Sequence, residues 1–267
     1  MAATSHVRSI SLPTGTHPTT LAVEVQLERL RSSESASTAD STTQLNILRE
    51  LHECVDDLLQ LPATQKSLSK SMEESLINGS LRSLEICGST REIFAQLKDC
   101  VKSLESSLRR KSSDLTSEIE TFVSSTKRLR KLACKTLKSS KKSKSPAADL
   151  EPKDSIFGLL REVESASFGV FESLLSSVSG AESSGWSVVS KYLKFKQDKE
   201  SEMGKLQSEL MALKSSLRAV NSVEEVQKVL KGLKGMEWSL QESEEELECV
   251  YRKLVKTRVS FLNILNH

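Results

Sequence analysis

Apolar residues recur every three to four positions along most of the chain, and the longest such stretch is the last, Ser222 to Leu265. Stepped in a strict 3-4 spacing, it reads Val226, Leu230, Leu233, Glu237, Leu240, Glu244, Leu247, Tyr251, Leu254, Arg258, Phe261 and Leu265. Nine of these twelve positions are apolar or aromatic and no proline intervenes, which predicts one amphipathic helix. At a rise of about 1.5 Å per residue it spans about 65 Å. A helix of that length with one apolar stripe is not stable alone in water, so the rest of the chain must supply partner helices. Glu237, Glu244 and Arg258 interrupt the stripe. They are either exposed edges of a drifting seam or polar pairs that set its register.

The same periodicity predicts the partners. A short helix covers Leu21–Arg31, after a Ser/Thr/Pro-rich stretch, residues 1–20, that contains no acid and reads as disordered. A polar linker, Ser32–Thr43, leads to a helix capped by Asp40-Ser41 and ended by Pro62. Another begins near Ala63 and carries its stripe to Leu108, with Asn78-Gly79 and Gly88-Ser89-Thr90 as possible kinks or close contacts. Ser112-Ser113-Asp114 caps a helix that runs through Leu137 and dissolves into a linker at about 139–152. Helices from Asp154 to Val178 and from Trp186 to Val220 follow, separated by a turn at 180–185. Ser222 and Glu225 form a capping box for the closing helix. No strand-like alternation is present. The expected fold is therefore all-α, an elongated antiparallel bundle of six or seven helices, with residues 21–267 forming one domain behind the tail.

Composition agrees with a narrow seam rather than a multilayer core: 37% of residues are apolar and only 4% aromatic. With 38 basic and 36 acidic residues the net charge is +2, but the charges are segregated. Residues 127–144 hold nine bases and no acid, whereas Glu237–Glu248 holds six glutamates and no base. The plainest reading is two solvated faces that attract one another. The five cysteines (Cys54, Cys87, Cys100, Cys134, Cys249) are scattered within apolar helical patterns. They are expected as small buried hydrophobes in a reducing compartment. No run of 18 apolar residues suggests a membrane span, and no apolar segment follows Met1. The expected setting is intracellular, the cytoplasm first and the nucleus or chloroplast as alternatives.

Catalytic chemistry finds no foothold in the residues. The S-x-x-K matches at Ser67–Lys70 and Ser139–Lys142 are expected by chance in a Ser/Lys-rich chain and lack companion motifs. His6, His17, His52 and His267 are too dispersed for a metal motif, and His52 is expected at the surface or rim of its helix. No catalytic residue, cofactor or metal ligand is assigned. Two stretches carry interaction chemistry instead. Arg8-Ser9-Ile10-Ser11-Leu12-Pro13 has the form R-S-x-S-x-P of a phosphoserine ligand for 14-3-3 proteins. There an arginine directs a basophilic kinase and phosphate supplies acceptor oxygens for an arginine cluster. The basic residues Lys127, Arg128, Arg130, Lys131, Lys135, Lys138, Lys141, Lys142 and Lys144 form the second stretch. It reads as a solvated helix end, an import-like or nucleic-acid contact, or a docking patch for an anionic membrane surface. Nucleic acid is disfavoured because aromatic residues for base stacking are absent. Serines 139, 140, 143 and 145 lie within reach of a kinase that would switch such a patch off.

Five segments together resemble a known group: His6–Pro13, Gln26–Glu34, Leu51–Leu58 with Leu61-Pro62, Asn78–Gly88 and Leu254–His267. The chain resembles the plant-specific helical family of unknown function grouped with BYPASS-type proteins. That resemblance implies an all-α, non-enzymatic plant protein linked to root and shoot development, with no catalytic or cofactor residues to carry over. It also brings a chloroplast association, against which stands Arg8 as the only basic residue of the first twenty. The expected function is an interaction or adaptor component with a phospho-regulated N-terminus. The alternative is a peripheral membrane protein docked through 127–144.

Overall fold

The computed structural model describes residues 17–35, 41–71, 74–110, 114–142, 155–179, 202–216 and 222–266. Eight helices occupy them: α1 (Pro18–Ser35), α2 (Ser41–Leu59), α3 (Pro62–Ser71), α4 (Glu74–Arg109), α5 (Leu115–Lys142), α6 (Ile156–Ser179), α7 (Glu202–Ser216) and α8 (Ser222–Asn266). No strand occurs among the described residues. The stretch read as one helix from Ala63 to Leu108 is described as α3 and α4, on either side of residues 72–73.

Several boundaries move for local reasons. Helix α1 starts at Pro18, inside the stretch expected to be disordered. Pro18 fills the first helical position, and His17 Nδ1 accepts a 3.3 Å hydrogen bond from the Thr19 amide. Helix α5 continues to Lys142, into the expected linker, because Lys and Ser weaken a helix without breaking it. Its start is as read: Asp114 Oδ1 accepts from the Ser117 amide at 3.2 Å. Ser155 does the same for α6 by accepting from the Gly158 amide at 3.0 Å. Glycines 79 and 88 do not interrupt α4. A Cβ at Gly79 would run into the Glu164 carboxylate, so Gly79 marks a close approach, whereas one at Gly88 would rest at an ordinary 3.7 Å from the Tyr251 ring.

The central pair is α4 against α8, antiparallel. The seam of α8 is Val229, Leu233, Met236, Leu240, Ser243, Leu247, Val250, Leu254, Thr257, Phe261 and Ile264, all buried. It steps by four and three without a break, the heptad pattern of a coiled coil. Helix α4 answers with Leu76, Ser80, Ser83, Cys87, Thr90, Phe94, Leu97, Val101, Leu104 and Leu108, also an unbroken alternation. Serine and threonine serve as small seam residues, and on α4 the hydroxyls of Ser80 and Thr90 turn back to their own helix. Thr90 Oγ1 donates to Ile86 O at 2.7 Å, and Ser80 Oγ to Ile77 O at 2.7 Å. Low apolar content and a continuous core are thereby reconciled. Helix α2 packs along α8, and α6 fills the groove beside α4, α5 and α2. Helix α6 is buried over most of its circumference, with Phe157, Leu160, Val163, Phe168, Phe171 and Leu174 among its core residues.

The residues flanking the α8 seam settle the role of its apparent interruptions. Glu244 pairs with Lys98, Glu237 Oε1 lies 3.5 Å from Lys102 Nζ, and Glu248 pairs with Arg91. Arg258 Nη1 donates to Ile77 O at 2.7 Å and to Ser80 Oγ at 3.0 Å. These polar links hold α4 and α8 in register. The expectation for the cysteines holds only in part. Cys87 is buried and its thiol is pushed up to about 12 by desolvation, but Cys249 is exposed on the outer side of α8.

Candidate functional site

The basic face of α5 is built from the helix's own amphipathicity. Ile119, Phe122, Thr126, Leu129, Ala133 and Leu137 are buried and attach α5 to the bundle. Thr126 joins that stripe because its hydroxyl donates to Phe122 O at 3.0 Å. At 100° per residue the bases fall on the opposite side. Lys127, Lys131, Lys135 and Lys138 recur at helical spacing, and Lys127, Arg130, Lys131, Cys134, Lys135, Lys138 and Ser139 line one shallow groove. Lys127, Arg128, Lys131, Lys135, Lys138 and Lys141 are exposed, and Arg130 is half-buried.

None of these seven cations has a carboxylate within ion-pairing distance among the described residues. Arg130 Nε is also buried without a hydrogen-bond partner. Elsewhere the bundle pairs its bases freely. Arg49 Nε lies 3.2 Å from Glu246, Lys253 Nζ 3.4 Å from Glu53, and Arg82 Nη2 3.0 Å from Glu164. The expected attraction between 127–144 and Glu237–Glu248 is therefore overturned. Arg49, Arg91, Lys98 and Lys102, from α2 and α4, take four of its six acids, Glu246, Glu248, Glu244 and Glu237. Gln241 adds a further acceptor to Lys98 Nζ at 3.0 Å, and Arg91 also lies over the Tyr251 ring at 4.7 Å. With those four acids engaged by α2 and α4, the α5 bases have no carboxylate partner among the described residues.

A second polar site escaped sequence reasoning. His52, expected at a surface, is 3% exposed. Its Nε2 lies 3.0 Å from Ser167 Oγ, which itself donates to Val163 O at 2.8 Å. Ser167 has spent its hydrogen, so His52 Nε2 carries the proton of that contact. His52 Nδ1 is left without a partner. A cavity of about 30 Å³ lies here, lined by His52, Ser80, Ser83, Glu164, Ser167 and Thr257 together with apolar side chains. Burial drives the His52 imidazole down to about 4, so it is neutral at ordinary pH. Asp56, one turn on, is raised by desolvation and held against that by Lys256 at 3.4 Å; Thr257 donates to its Oδ1 at 3.3 Å. Ser167 is fully buried, so the Ser–His contact is a packing link between α2 and α6 rather than an activated hydroxyl. The only advance signal was that His52 and Asp56 sit four residues apart on the apolar side of α2.

The remaining candidates fall elsewhere. Arg8, Ser9, Ser11, Pro13 and Lys144 lie outside the described residues, and Lys142 is described in its backbone alone. Among the described residues there is no cluster of His, Cys, Asp and Glu with metal-binding geometry. Nor is any helix among them long and apolar enough to cross a membrane. No curated protein and no solved structure matches the chain. A family model, Protein BPS1, matches residues 44–264, a span that runs from α2 almost to the end of α8 and includes the α5 face. An all-α bundle carrying that match over most of its length places the chain in the BPS1 family, a BYPASS-type group of plant developmental proteins.

Proposed function

We propose that this chain is a non-enzymatic helical scaffold of root and shoot development that docks reversibly on an anionic membrane surface through the basic face of α5. The observation that carries this reading is that Lys127, Arg128, Lys131, Lys135, Lys138 and Lys141 are exposed with no carboxylate partner among the described residues, in a bundle that pairs many of its other bases. Each lysine or arginine near an anionic leaflet contributes about 1 kcal/mol, so a face of this size suffices for salt-sensitive, reversible attachment. The face lacks aromatic side chains, which favours a lipid surface over single-stranded nucleic acid. Co-sedimentation with phosphatidylserine-containing vesicles tests it. The full chain binds at low salt, and Lys→Gln at 127, 131, 135 and 138 together abolishes binding while helicity is retained. Equal binding by that variant refutes the docking face.

A second reading, an adaptor engaged by 14-3-3 proteins, is favoured by the hexapeptide Arg8–Pro13. A Ser11-phosphorylated peptide then binds 14-3-3 and its Ser11→Ala counterpart does not. Absence of binding at high micromolar peptide removes this reading and leaves the first intact.

A further inference from the structure

The geometry points to Ser139 as a phosphate-acceptor site for a basophilic protein kinase, one that releases the α5 face from its anionic surface. This inference rests on the docking reading above. Three serines punctuate the basic stretch, 139, 140 and 143, and a fourth, 145, follows it directly; Ser139 and Ser140 lie among the described residues. Ser139 is exposed and lines the same groove as Lys131, Lys135 and Lys138. Ser140 is half-buried, and its Oγ is enclosed without a hydrogen-bond partner. Thr136, the other hydroxyl of this stretch, is half-buried and already donates to Leu132 O at 3.1 Å. Accessibility and basic surroundings therefore coincide at Ser139.

Its position in the helix favours modification. Ser139 and Ser140, of modest helix propensity, stand side by side in the last described turn of α5, where local opening costs less than beside the buried stripe. A kinase needs an extended segment, and this turn yields one at the lower cost. The Ser139 hydroxyl attacks the γ-phosphorus of ATP and the bond from that phosphorus to the β-γ bridging oxygen breaks. ADP leaves and the serine proton passes to the kinase's base. The product carries close to two negative charges, adjacent to Lys138 and one turn from Lys135. That charge subtracts from the field that the membrane reads. At the usual contribution per charge near an anionic leaflet, losing about two charges weakens attachment by about 30-fold.

The test uses the full chain, a purified basophilic kinase with MgATP, and vesicles of equal parts phosphatidylcholine and phosphatidylserine. Mass spectrometry locates the phosphate, and co-sedimentation reads the affinity. The expected result is phosphate on Ser139 with affinity lowered by about 30-fold, and undiminished binding by a Ser139→Ala chain treated identically. Phosphate on Ser139 with unchanged affinity overturns the switch. So does a chain that takes no phosphate at Ser139, or an equal loss in the treated Ser139→Ala chain. If the untreated chain does not bind these vesicles at all, the docking reading itself falls, and the switch with it.

Discussion

Two regions of this bundle carry one-signed charge at the same density. Glu237–Glu248 has six glutamates in twelve residues, and residues 127–144 have nine bases in eighteen. They differ in what stands opposite. The middle of α8 faces α4 and α2, whose Arg49, Arg91, Lys98 and Lys102 are placed against its acids. The end of α5 faces solvent on its charged side, with an apolar stripe behind it. A charge run thus has no meaning by itself. Across a helix–helix edge it sets register and orientation; facing outward it is a field available to a partner.

The largest effects should come from breaking the paired side. Lys98→Glu puts a carboxylate beside Glu244 where the lysine side chain is only 14% exposed, and should cost about 3 kcal/mol in urea denaturation. Lys131→Glu on α5 makes the same change in charge yet should alter stability by less than about 0.5 kcal/mol, while weakening vesicle binding. Equal destabilisation by the two would erase the distinction. A double variant, Lys98→Glu with Glu244→Lys, should recover about 1–3 kcal/mol of the first loss.

The buried layer beneath the paired side predicts a pH dependence. The folded pKa of His52 is pushed from 6.5 down to about 4, so its contribution is fully present above about pH 6.5. It is lost as pH falls toward 4, because the unfolded chain takes up the proton first. The shift corresponds to about 3 kcal/mol. Asp56, with its folded pKa raised, works in the opposite direction near and just above pH 4 and offsets part of this. Denaturation midpoints across pH 4–7 should fall with pH, and His52→Gln should flatten the slope. A slope unchanged by His52→Gln would remove His52 as its source. The smallest effect is Gly88→Ala. A Cβ there meets Tyr251 at an ordinary 3.7 Å, so the gain in helix propensity should stabilise the chain by about 0.5–1 kcal/mol.

Much of the architecture was legible from periodicity. The closing helix was expected at Ser222–Leu265 and is observed at Ser222–Asn266. The Asp114 cap is likewise as read. The phase of the α8 seam was not. Stepping from Val226 shares Leu233, Leu240, Leu247, Leu254 and Phe261 with the observed seam but takes Glu237, Glu244 and Arg258 where Met236, Ser243 and Thr257 are buried. Leu230 and Tyr251 beside the seam make the neighbouring phase almost as apolar, and a buried hydroxyl looks polar in a sequence. His52 was misplaced for a related reason. The face it occupies is covered by α6, whose Ser167 lies 115 residues away.

The sequence by itself determined that this chain is helical, where most of its helices start and stop, and which stretches hold charge of one sign. Those properties depend on neighbours three and four residues apart. Only the tertiary structure decided which of two seam phases is buried, that His52 is enclosed, and that four acids of α8 are matched by α2 and α4 while the bases of α5 meet no carboxylate among the described residues. Those are long-range pairings. A local pattern has no means of choosing among several helices of similar amphipathicity; packing and charge complementarity across the bundle make that choice.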